Sequence, residues 1–159
     1  MALQKPAGTG QKQQISLDSA ATHLLEECRM VLPGIQALFG FQLIAVFNQG
    51  FGEKLSQVGQ MVHLVALILT TLSMALVMTP AALHRQAEPK AVSERFLWLA
   101  SSMVLAAMVP LAVAVGLDSY VVASIVLKSE LLGALLGVLL MLVFASLWFV
   151  LPRRERRSR

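Results

Sequence analysis

The sequence predicts an all-α membrane protein: four transmembrane helices with an amphipathic N-terminal helix, and both termini in the cytoplasm. Three observations predict it. The chain of 159 residues is 57% hydrophobic and 14% charged, an apolar excess over the globular norm. Four stretches, about 31–51, 58–83, 96–117 and 131–151, are apolar and long enough to cross a bilayer core as helices. The basic residues are also asymmetric: Lys5, Lys12, Arg29, Arg85, Lys90, Arg95 and the C-terminal arginines fall on one side of this topology, against only Lys54 and Lys128 on the other. The positive-inside rule makes the richer side cytoplasmic, and Trp98 and Trp148 there, with Tyr120 at the outer end, match an aromatic belt.

In chain order, residues 1–15 read as a disordered tail, with too little apolar area to offset the entropy of ordering. A helix is expected to start at Ser16 or Asp18, both good N-caps. Leu24, Leu25, Cys28, Leu32 and Ile35 then recur near helical spacing, giving an amphipathic helix that lies at or rises from the surface. Pro33, which lacks a backbone donor, marks its junction with the first span. Residues 52–57 form a short link, so the first two spans are antiparallel neighbours.

The second span carries His63, Thr70, Thr71, Ser73, Thr79 and Pro80 and leads into a charged loop at 86–94. The third carries Ser101, Ser102 and Pro110. A link at about 118–130 is expected next, and its apolar run 120–127 is either a surface helix or an early extension of the fourth span. The fourth span ends at Pro152, before the basic tail 153–159. The domain plan is therefore a tail, one membrane domain at 16–152 and a short basic terminus.

The formal charge of +4 and pI near 9.7 do not indicate nucleic acid, because the basic residues flank apolar spans and form no basic domain. A lone cysteine, Cys28, excludes an internal disulfide framework. The polar first 16 residues lack the apolar core of a cleavable signal peptide. His23, His63 and His84 fall at different depths and show no ligand spacing, so no metal or cofactor is expected. No nucleophile–base set, phosphate loop or dinucleotide fingerprint is present, so no enzyme activity is expected.

The first span is the informative one. Between Met30 and Gly52 it has no ionisable residue, yet it holds Gln36, Gln42, Asn48 and Gln49 together with Gly34, Gly40 and Gly50. Amides in hydrocarbon need partners or water. Gln42 and Gln49, a heptad apart, share a stripe with Glu27, and Gln36 lies opposite with Gly40. Gln42 is placed near mid-span, at a depth similar to Thr70. Two readings stay open. One is a polar path lined by Gln42, Gln49, Glu27, Gln36, Thr70 and His63, with the first span of each subunit facing an oligomer axis and Glu27 ringing its mouth. The other is interhelical glue. Gly34 and Gly40, and the Gly133-x-x-x-Gly137 motif, are candidate helix-packing sites, within the chain or between copies. His84, Arg85, Arg153 and Arg154 are placed to meet lipid headgroups.

Four segments also resemble a known family. They are Leu25-Glu26-Glu27-Cys28-Arg29, Leu32-Pro33-Gly34-Ile35-Gln36-Ala37-Leu38-Phe39-Gly40-Phe41, Pro80-Ala81-Ala82-Leu83-His84-Arg85 and Leu147-Trp148-Phe149-Val150-Leu151-Pro152. Together they are similar to a widespread family of small bacterial four-span membrane proteins of no established function, some labelled automatically as sodium:proton antiporters. The resemblance runs over about residues 24–152. It implies the bacterial inner membrane and supplies no catalytic residues.

The functional expectation is an oligomeric channel-like or transport protein for small ions or solutes, with the first span facing the path and the bilayer and other copies of the chain as partners. One alternative is a non-transporting accessory or membrane-organising protein. A further alternative is the antiporter, for which His63 is the only titratable side chain expected inside a span.

Overall fold

A computed structural model of the protein describes residues 16–87 and 91–157; the predicted tail 1–15 lies outside the described residues. Ser16 starts the first helix as an N-cap, its hydroxyl accepting from the amide of Ser19 at 3.3 Å. Helix α1 (Leu17–Val46) joins the predicted amphipathic segment and the first span into one rod, with Pro33 inside it. It stops at Val46, earlier than the predicted 51, and a five-residue helix α2 (Gly50–Lys54) fills the connection.

Helix α3 spans Gln57–Ala87. Helix α4 spans Glu94–Leu127, capped by the Ser93 hydroxyl, which accepts from the amide of Phe96. This corrects the predicted boundary at 117. The stretch 118–127 is neither a surface helix nor the start of the fourth span but the last part of α4. The helix ends where Lys128 turns to φ 50°, the left-handed conformation that closes helices. Ser129 then caps α5 (Glu130–Ala145), which passes through a π-helical turn at Ser146–Val150 into α6 (Leu151–Arg157). With the fourth span running over Glu130–Arg157, four helices are long and apolar enough to cross a membrane, as in a multi-pass membrane protein. No strand occurs among the described residues.

Packing follows small side chains at heptad spacing. On α3 the buried residues are Gly59, His63, Ala66, Thr70, Ser73, Val77 and Pro80, alternating four and three apart. On α1 they are Ala21, Cys28, Ile35 and Gln42, each seven residues after the last. A repeat of 3.5 keeps one seam facing a partner helix. Small residues on that seam let backbones approach in lipid, where dispersion and hydrogen bonds replace the hydrophobic drive. Helix α4 is the centre of the bundle, packing against α3 on one side and α5 on the other, while α1 lies on α3 with a smaller contact to α4. Ser73 fastens α3 to α4 by donating to the carbonyl of Ala107 at 2.9 Å.

Of the four glycines expected to pack, two do so. A Cβ on Gly137 would lie 2.7 Å from the carbonyl oxygen of Gly116, and one on Gly133 2.9 Å from the Tyr120 carbonyl, so α5 rests on α4 through these positions. Gly34 and Gly40 have open space where a side chain would stand, so the packing expected of them is not made within the chain. Tyr120 lies two turns before the end of α4, against Gly137.

Candidate functional site

The polar residues of three helices meet at one place. Gln42 on α1 is 3% exposed, His63 on α3 6% and Thr70 on α3 0%, and the fourth member is Asp118 on α4. The Gln42 amide nitrogen donates to Asp118 Oδ2 at 2.6 Å and to Thr70 Oγ1 at 3.1 Å. Thr70 passes its own hydrogen back to the carbonyl of Ala66 at 3.0 Å. His63 Nδ1 faces Asp118 Oδ1 at 3.2 Å, and His63 Nε2–H donates to the backbone carbonyl of Gln42 at 3.0 Å. Phe51 packs edge-on against the imidazole, with ring centres 5.3 Å apart.

The proton inventory follows from these partners. A backbone carbonyl only accepts, so Nε2 carries a hydrogen. That leaves Nδ1 facing a carboxylate oxygen, and two bare lone pairs at 3.2 Å repel. One proton between Nδ1 and Oδ1 removes the repulsion, whether it is written on the imidazole or on the carboxyl. The same logic fixes the Gln42 amide. Turned over, its oxygen would face Asp118 Oδ2, acceptor against acceptor. In the favourable orientation Gln42 Oε1 is buried without a hydrogen-bond partner.

Beside the cluster is a cavity of about 470 Å³, lined by Gln42, His63 and Asp118 together with Leu38, Phe41 and Ala45 of α1, Asn48, Phe51, Lys54 and Leu55 of the connection, and Val121, Val122 and Ile125 of α4. That volume lies in the range of small-molecule sites. At about 1.5 Å per residue, Gln42 lies roughly 6 Å from the end of α1, His63 roughly 9 Å from the start of α3 and Asp118 roughly 14 Å from the end of α4. All three sit in the half of the bundle that holds α2 and the α4–α5 turn, and Thr70, bonded to Gln42, stands near the middle of α3.

Asp118 is the residue that sequence reasoning missed. It is expected in a link because a charge after the apolar stretch 96–117 reads as the end of a span. The available signal was the run 119–127, free of charge, Gly and Pro, which continues the helix past the charge. Its partners could not be read, since they lie 76 and 55 positions away in the chain.

Of the six polar-path candidates, Gln42, Thr70 and His63 converge. Gln36 and Glu27 are exposed along α1, Gln49 is exposed in the connection, and none of them joins the cluster. At the opposite end Arg85, Arg153 and Arg154 are exposed. His84 differs from them. It is half-buried, its ring packs against Phe96 at 5.6 Å, and its Nδ1 is buried with no hydrogen-bond partner. No curated protein and no solved structure matches the chain. The model of a family of unknown function (DUF6328) matches residues 10–152, and the chain belongs to that family.

Proposed function

We propose that this chain is a transport protein of the bacterial inner membrane that exchanges a small cation for a proton at the Asp118–His63 pair, with α1 lining the path. The supporting observation is Asp118 itself: a carboxylate inside an apolar helix, held by His63 and Gln42 at the wall of a cavity. Ionisable groups in such positions are costly in a bilayer and are characteristic of ion pathways and proton relays. From the sequence the antiporter has His63 alone as its titrating group; Asp118 supplies an acid beside it.

The chemistry is an exchange of equal charges. The pair holds one proton between Nδ1 and Oδ1. When that proton leaves, His63 is neutral, Asp118 is a carboxylate, and their facing lone pairs repel. A cation arriving at Asp118 relieves the repulsion, and a returning proton expels the cation. Gln42 keeps donating to Oδ2 in both states and holds the carboxylate in place. The site is complete within one chain, so the exchange does not depend on the self-association expected from sequence. The reading keeps the bilayer as partner and includes cytoplasmic termini and no enzyme activity.

The test is flux. Purified protein is reconstituted into liposomes holding a pH-sensitive dye, and a panel of cations is applied against a preset pH gradient. Cation-dependent proton movement that disappears in Asp118→Asn, with the helical fold retained by circular dichroism, is the expected result. Proton movement no faster than in protein-free liposomes for every cation, or movement unaffected by Asp118→Asn, would sink the proposal.

A different observation favours the accessory reading. On the outward face of α1, Gln36 is exposed and Gly40, one turn on, has open space beside it. An amide next to a small residue is a contact that another membrane helix can complete. A protein that co-purifies from native membranes and is lost in Gln36→Leu, with no flux from the isolated chain, is the result that reading requires.

A further inference from the structure

Two cavities meet at Asp118. The first is the one beside the cluster. The second, of about 480 Å³, lies between α1 and α5 with α4 as its floor, and both cavities are lined by Leu38, Asp118 and Val122. Helices α1 and α5 do not form a packed interface. The second cavity is therefore a cleft in the side of the bundle, not a shaft along it. Its walls include Val126, Leu136 and Leu140, and its polar residues are Asp118 and Ser119. Val122 and Val126 at its lip are 60% and 70% exposed.

This is an unusual approach for an inorganic ion. A hydrated ion moving along valine and leucine side chains gives up water and gains no ligand until it reaches the carboxylate. A cation with an apolar body gives up far less, because its body is favoured by the same walls. At the far end the charge complementarity is local: Asp118 offers its carboxylate. The charged and titratable groups around the carboxylate are His63 from α3 and Lys54 from the α2 connection; α1 contributes the neutral Gln42, and α5 contributes only apolar side chains to the cleft.

We propose that the cation exchanged at Asp118 is lipophilic, an organic cation with a compact apolar body, and that it is admitted from the bilayer through the cleft between α1 and α5. The inference rests on the exchange reading above and adds to it the substrate class and the route. One monovalent cation enters as one proton leaves, so the charge of the site is unchanged.

The test uses the full chain in lipid nanodiscs and in proteoliposomes, with tetraphenylphosphonium as the lipophilic probe, choline as a hydrophilic organic cation and sodium as an inorganic one. Binding of tetraphenylphosphonium in the nanodiscs is corrected for empty discs. It should weaken at least tenfold in Asp118→Asn and weaken on acidification. In the proteoliposomes tetraphenylphosphonium should drive proton movement and sodium and choline should not. Leu136→Trp, which narrows the cleft while leaving the cluster intact, should slow association at least tenfold. Proton exchange driven by sodium or choline but not by tetraphenylphosphonium overturns this inference and leaves the exchange reading standing. No exchange with any of the three overturns both. Tetraphenylphosphonium binding that is unchanged in Asp118→Asn is partitioning only and overturns the assigned site. An unchanged association rate in a folded Leu136→Trp variant overturns the lateral route.

Discussion

Replacing Gln42 with leucine separates the buried cluster from every looser arrangement of the same residues. The side chain makes two bonds, to Thr70 Oγ1 at 3.1 Å and to Asp118 Oδ2 at 2.6 Å. A neutral side-chain bond between membrane helices is worth about 0.6 kcal/mol on average. A hydrogen bond to a charged group is worth about 1.5–3 kcal/mol. Thr70 keeps its bond to the Ala66 carbonyl, but Asp118 Oδ2 is left without its donor in a half-buried place. The sum is a destabilisation of about 2–4 kcal/mol, most of it from Asp118. Asp118→Asn should then reduce the penalty of Gln42→Leu in a double-mutant cycle, because the stranded charge is gone. The assay is reversible unfolding in mixed detergent micelles, followed by circular dichroism. A companion measurement uses Gln42→Cys in a Cys28→Ser background, where a thiol at this buried position should react slowly with a water-soluble maleimide. Wild-type stability within about 0.5 kcal/mol for Gln42→Leu, the scatter of surface substitutions, together with rapid labelling of the thiol, would refute the buried network.

Other expectations follow from the packing and the caps. Gly137→Ala puts a methyl 2.7 Å from the Gly116 carbonyl, and overpacking of this kind should lower stability by about 1–3 kcal/mol in the same unfolding assay. Gly34→Ala, with open space at that Cβ, should leave the monomer's stability within about 0.5 kcal/mol of wild type. Ser129→Ala removes the acceptor for the Leu132 amide at the turn into α5, a loss of about 1 kcal/mol by thermal or detergent unfolding. Cysteines placed on the two terminal segments, in the Cys28→Ser background, should both resist an impermeant thiol reagent in intact cells; labelling of either would overturn the cytoplasmic termini.

What the sequence by itself determined is the solvent of each segment. A bilayer demands about twenty apolar residues per helix whatever the rest of the chain does, so the existence and approximate place of the four spans could be read from composition. Family membership was legible in the same way, from residues carried in short contiguous segments. The start of α1 at Ser16 was legible too, because capping is settled among neighbours in the chain. The polar candidates Gln42, His63 and Thr70 could be singled out because amides, imidazoles and hydroxyls in apolar helices need partners. Which partners they take is a matter of tertiary structure. Asp118 stays inside α4 only because Gln42 from α1 and His63 from α3 reach its two oxygens, and a rule that ends a span at the first charge has no term for donors supplied from elsewhere. The lateral cleft, and the fact that Gly133 and Gly137 pack while Gly34 and Gly40 do not, were decided the same way. A small residue permits close approach, but only the arrangement of the helices says whether another helix is there to approach.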